Sequence, residues 1–211
     1  MNQALARTAT AWIAGVTAAA WALVAALGLG AEATFVGGFI PIRLTYGMEA
    51  DGLLPAILTP LTSTLLHANF LHLALNLLML IICGRAVEQA IGAANLGVMY
   101  VIGAVAAAAA QWAVDPASQI PVIGASGAIS AVVGAYALLF GRSRVKIANP
   151  ALARAVHVAW LAAAWVGLQL LFGYASSAGG GPSIATLAHV GGFLAGLALA
   201  KPLHRLHWRK A

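Results

Sequence analysis

The sequence predicts an all-α membrane protein, a bundle of six transmembrane helices. Three observations carry this expectation. Hydrophobic residues make up 62% of the 211-residue chain and charged residues only 8%, with a mean hydropathy of +0.93, whereas a soluble domain carries about 25% charged residues. Six stretches are apolar over something close to the roughly 20 residues that a span requires. Glycine, proline and charged residues mark the joins between them. One membrane domain over residues 1–211 fits this length and leaves little for a soluble one. A single cysteine, Cys83, excludes an internal disulfide and reads as apolar packing.

The first span is expected at 8–29. No small-residue cleavage site follows a short apolar core, and no Ser/Arg-rich presequence precedes it, so it reads as retained. A long segment, 30–66, mixes Phe39, Ile40, Leu53, Leu54 and Ile57 with prolines and glycines, more apolar than an ordinary surface loop. Spans two and three follow at 69–90 and 94–114. Asp115-Pro116 precedes the fourth, 125–141, which is short and glycine-rich and suffices if the bundle buries its end. Asn149-Pro150 introduces the fifth, 153–174. The stretch Ser176 to Ser183 precedes the sixth, 184–200, and suits a mobile cap and a passive linker equally well.

Charge placement orients these spans. Arg7 precedes the first, and Arg85 and Glu88 cancel between the second and third. Arg142, Arg144, Lys146 and Arg154 lie between the fourth and fifth, and Lys201, Arg205, Arg209 and Lys210 follow the sixth. The opposite side holds Glu32, Arg43, Glu49, Asp51 and Asp115. Lysine and arginine accumulate on the cytoplasmic side, so both termini are expected there. Topology alone then explains the net charge of +6, and no nucleic-acid partner is needed. The expected surroundings are the lipid bilayer.

In this topology spans two, four and six all run inward from the outer face. His72, Ser126 and His189 then fall at one depth, near the outer ends of their helices. Ionisable groups in a bilayer are costly and usually mark function. Serine becomes a useful nucleophile when a neighbouring base takes its proton. At about 100° per residue, His72 and Asn76 share a helix face, while His67 points roughly 140° away and is expected to brace the entrance. Gly192 and Gly196 lie on the face of His189, and Gly127 and Gly134 lie beside that of Ser126. Such small residues let spans four and six approach closely and bring His189 to Ser126.

Taken together, these residues resemble the rhomboid family of intramembrane serine proteases. The resemblance rests on His67, His72 and Asn76 in span two, on Gly124-Ala125-Ser126-Gly127 opening span four, and on Ala188-His189 with Gly192 and Gly196 in span six. It implies that Ser126 is the nucleophile and His189 its base, later the acid toward the leaving amine. It also implies an oxyanion hole of His72, Asn76 and the Ser126 backbone N–H, and substrates that are transmembrane proteins. A dyad without an acid is coherent, because desolvation favours the neutral imidazole that accepts the proton. The compact six-span form resembles bacterial members, which implies a cell inner membrane. The long first segment resembles the family's partly embedded loop. Two departures stand out. Ser130 occupies the place where some members stack an aromatic ring on the histidine, which leaves open what orients His189. Pro41-Ile42-Arg43-Leu44 stands where some carry a Trp-Arg pair, which leaves the role of Arg43 open.

Other readings fit less well. A non-catalytic relative would be expected to lose the serine or the base, and both are present. A proton-coupled transporter using His72 and His189 would more naturally show paired carboxylates and matching broken helices. A metal centre of His67, His72 and His189 is disfavoured because His67 is expected to face away. Neither metal nor cofactor is expected.

Overall fold

The computed structural model describes residues 8–49, 51–141, 147–178 and 185–209, with backbone only over 172–178. Among the described residues the regular secondary structure is all helical, apart from one isolated antiparallel bridge between Phe39 and Val122. Among the described residues five helices are long and apolar enough to cross a membrane: α1 (Ala9–Ala26), the continuous Phe70–Ile91, α7 (Ala93–Val114), α9 (Pro150–Ala178) and α10 (Thr186–Trp208). The expected fourth span, α8 (Ser126–Phe140), is a shorter core helix of 15 residues. At about 1.5 Å per residue it falls short of a bilayer core. Neighbours bury it from Gly127 to Val132 and again at Gly134 and Ala135. Among the described residues the bundle therefore has five full-length apolar helices and a sixth, shorter one, so the expected count of six full spans is not exact.

Segment 30–66 is folded rather than a loop. It forms α2 (Gly30–Gly37), α3 (Pro41–Tyr46) and α4 (Thr59–Thr62), with 3-10 turns on either side of α4 at Ala56–Leu58 and Ser63–Leu65. Phe39 and Ile40 are buried, whereas Ile57 is exposed. Arg43, whose role the sequence left open, is a buried staple of this segment. Its guanidinium donates to the Leu54 carbonyl at 2.6 Å and the Met48 carbonyl at 3.3 Å, and reaches Glu49 at 3.5 Å. The segment is also latched to the chain before α8. Phe39 and Val122 exchange backbone hydrogen bonds of 3.0 and 2.8 Å, and Ile42 N–H donates to the Ser118 carbonyl at 3.0 Å.

The second long helix is α5 (Phe70–Met79), a π-helical stretch over Leu80–Gly84, and α6 (Arg85–Ile91). Glu88 does more than offset Arg85. Its carboxylate accepts from the N–H groups of Ala9 at 2.7 Å and Thr10 at 3.0 Å and from the Thr10 hydroxyl at 2.6 Å. It thus satisfies orphan donors at the N-terminus of α1 and complements the helix dipole.

The last two helices are longer than their apolar cores suggest. Asn149 caps α9 through bonds of 2.9 and 3.2 Å to the N–H groups of Ala151 and Leu152, and Pro150 opens the helix. α9 continues through Ala178, so the start of the expected Ser176–Ser183 cap is helix, and residues 179–183 lie outside the described residues. α10 runs past Lys201 and through Pro202 to Trp208 rather than stopping at 200. The charged residues suggested an end, but tertiary bonds carry the helix on. His204 Nδ1 lies 2.9 Å from the Ala90 carbonyl, Trp208 Nε1 donates to the same oxygen at 3.2 Å, and Asn95 Nδ2 reaches the Leu203 carbonyl at 3.4 Å. The start of α1 and the ends of α6 and α10 therefore share one end of the bundle.

Three helices form the packed centre of the bundle: α8 packs against α7 on one side and α10 on the other. Cβ atoms added at Gly196 or Gly192 would collide with the carbonyls of Ala131 and Gly127. One added at Gly134 would strike the Phe193 carbonyl. Gly127 differs from the expectation that pairs it with Gly134. Its own missing side chain faces Ala107 on α7, and its carbonyl is what Gly192 admits. A seven-residue spacing on a helix fixes a face only approximately, and here two partners divide that face.

Candidate active site

Ser126 is the first residue of α8, after the turn Gly124-Ala125. Gly124 adopts φ of +116°, where a side chain is strained. An added Cβ would also lie 2.7 Å from Cε1 and 2.8 Å from Nε2 of His72. Glycine is thus required both for the turn and for the approach of the ring. Gly124 N–H donates to the Ser63 carbonyl at 2.9 Å, and Ala125 N–H to His67 Nε2 at 3.4 Å.

His67 braces this turn from an unexpected direction. The helix begins only at Phe70, capped by Asn69, so helical spacing does not apply to His67. Its ring lies 5.0 Å from that of His72, edge to face, instead of pointing away. Burial, with His72 acting in the same direction, pushes the His67 imidazole down to about 4. It is therefore neutral at pH 7 and can accept from Ala125.

Ser126 Oγ lies 2.7 Å from His189 Nε2. The ring's other nitrogen, Nδ1, is 2.9 Å from Oε1 of Gln169 on α9. Trp165, one turn earlier, donates from Nε1 to the His189 carbonyl at 3.3 Å and stacks on Phe193 with centroids 4.9 Å apart. Ser130 makes no contact of the aromatic kind; its hydroxyl donates to the Ser126 carbonyl at 2.7 Å. Asn76 is buried and gives one amide hydrogen to the His72 carbonyl at 2.8 Å. His72, Asn76, Ser126, Trp165, Gln169 and His189 line one cavity of about 710 Å³. That volume is in the range of small-ligand pockets. Among the described residues no cluster of histidine, cysteine, aspartate or glutamate could hold a metal ion.

Chemically, the cavity offers a hydroxyl beside an imidazole, with the backbone N–H of the first helical residue and polar side chains nearby. Gln169 was missed in the sequence. The available signal was a lone carboxamide in a long apolar helix, where a polar group needs a partner.

The fold and the site together define a multi-pass membrane protein with a serine–histidine pair inside its helical bundle. The family profile described as Rhomboid domain matches residues 56–206. The chain is 37% identical over 76 residues to human Rhomboid-related protein 3, covering 36% of this chain and 18% of that one. It is 29% identical over 136 residues to mouse Rhomboid-related protein 2, covering 64% and 44%. To RHOMBOID-like protein 5 of Arabidopsis thaliana it is 29% identical over 134 residues, covering 64% and 40%. It spans less than half the length of each of these relatives. The chain belongs to the rhomboid family.

Proposed function

We propose that this protein is an intramembrane serine endopeptidase that cuts transmembrane segments of membrane proteins near the outer face. The observation that carries the reading is the 2.7 Å contact between Ser126 Oγ and His189 Nε2 inside the cavity. In this mechanism Ser126 Oγ attacks the scissile carbonyl carbon while His189 Nε2 takes the hydroxyl proton. The resulting oxyanion is held by the Ser126 N–H, His72 and the second amide hydrogen of Asn76. Collapse breaks the C–N bond, and His189 returns the proton to the departing amine. A water activated by His189 then hydrolyses the acyl-enzyme and restores the serine.

The reading extends to the whole chain. Residues 1–211 act as one rhomboid-type membrane domain in a cell inner membrane, with both termini cytoplasmic. The clustering of Arg85, Lys201, Arg205 and Arg209 toward the bundle end that holds the start of α1 favours that orientation.

The test uses purified protein comprising residues 1–211 in detergent with a generic transmembrane substrate. Wild type should cleave it, and Ser126→Ala and His189→Ala should each abolish cleavage while remaining folded. Absence of cleavage by wild type, or normal turnover by either variant, overturns the proposal.

A further inference from the structure

α9 is apolar, yet among its described side chains only one is buried, and that one is polar: Gln169, at 7% exposure. A buried carboxamide in a membrane helix is costly unless it is paired. Its acceptor oxygen meets His189 Nδ1 at 2.9 Å, on the ring edge away from Ser126. A carbonyl oxygen can only accept, so the neutral ring must carry its hydrogen on Nδ1. Nε2 then presents a lone pair to Ser126 Oγ. The opposite amide orientation would put the hydrogen on Nε2 and leave Ser126 without a base.

We infer that Gln169 is a positioning residue that fixes the tautomer and ring plane of His189. The inference rests on reading Ser126 and His189 as the reacting pair. Two further observations support it. Ser130 bonds to the Ser126 carbonyl and gives His189 no ring to stack on. Trp165, on the same helix, anchors α9 to α10 through the His189 carbonyl and Phe193, which holds Gln169 in register. A neutral amide orients the ring without supplying a full countercharge. The site would therefore gain geometry rather than the electrostatic stabilisation that a triad carboxylate provides.

The test measures the rate at which a fluorophosphonate probe labels Ser126, together with kcat and KM for a transmembrane substrate, using the full chain. Gln169→Leu removes the acceptor. It should slow labelling and lower kcat roughly tenfold, the factor expected for one hydrogen bond, with KM unchanged. Gln169→Glu keeps an acceptor oxygen and should restore most of that loss. Trp165→Phe keeps the acceptor on Nδ1 and should slow labelling less than Q169L does. If Q169L does not fold, Gln169→Met takes its place. Labelling of Q169L at the wild-type rate overturns the inference, as does failure of Q169E to rescue. A loss in W165F as large as that in Q169L makes the effect one of helix packing and also overturns it. An unlabelled wild type overturns the protease reading and this inference together, whereas a labelled wild type with an equally reactive Q169L overturns this inference alone.

Discussion

As the first residue of α8, Ser126 keeps a backbone N–H that no earlier turn can accept. The same position puts the positive end of the helix dipole where an oxyanion would form. His72 and Asn76 border that point but differ in how they are held. The His72 ring rests against Gly124, whereas Asn76 is tied by one amide hydrogen to its own helix. Removing one oxyanion donor costs about 10²–10³ in kcat in other enzymes. We expect His72→Ala and Asn76→Ala each to lower kcat well below wild type with little change in KM; an effect confined to KM would remove that residue from the oxyanion hole. Of the residues that line the cavity, the sequence singled out Ser126, His72 and His189 by a glycine-flanked serine and histidines in apolar stretches, and Asn76 by its place one turn after His72. Gln169 was not, because its partner lies 20 residues away on another helix.

Packing between elements rests on backbone approach. Gly192 and Gly196 on α10 meet carbonyls of Gly127 and Ala131 on α8, and Gly191 meets Ala106 and Ala110 on α7. One helix is thereby clamped against two others at the level of the site. A methyl group at Gly192 would push against the residue that follows Ser126. Overpacking of this kind costs about 1–3 kcal/mol. We expect Gly192→Ala to lower both thermal stability and activity, and Gly196→Ala to lower stability. Gly97→Ala, where the space is open, should be neutral or slightly stabilising. A G192A protein as stable and active as wild type would show that the helices can part without consequence. The small-residue spacing announced close contact in the sequence. Which neighbour each glycine admits depends on helix rotation, and Gly127 turned out to face α7.

For the molecule as a whole, the proposed activity makes orientation and depth decide what would be cut. Cysteine labelling from outside intact cells should reach the 30–66 segment and spare the 142–154 loop and the 201–211 tail. Labelling of the 142–154 loop from outside would invert the arrangement. On the proposed reading, Ser126 sits at the outer end of α8 and would attack only a carbonyl at that depth. Substrate carbonyls are engaged in helical hydrogen bonds, which lipid makes costly to leave unpaired. Local unwinding, which glycine and proline favour, must therefore come first. Ala104, Ala107, Ala108, Ala188, Gly124 and Gly127 are among the residues that line the cavity around the serine. We expect mass spectrometry of the products to place cuts in or just outside the outer third of a substrate span, after a small residue with a helix-destabilising residue nearby. Cuts near the cytoplasmic end, or regularly after bulky or charged residues, would refute this.

The sequence by itself determined the helical membrane class, the approximate course of the helices and the family, because apolar run length and glycine-flanked polar residues are local signals. Only the tertiary structure decided the rest. It folded segment 30–66 into helices latched to the turn before Ser126, turned His67 toward His72, and extended α10 to Trp208 through bonds to the end of α6. It also brought Gln169 to His189. The physical reason lies mostly in long-range pairing. Three of the four depend on a polar group finding its partner far along the chain, about which local pattern carries no information, and His67 turns because the helix begins only at Phe70.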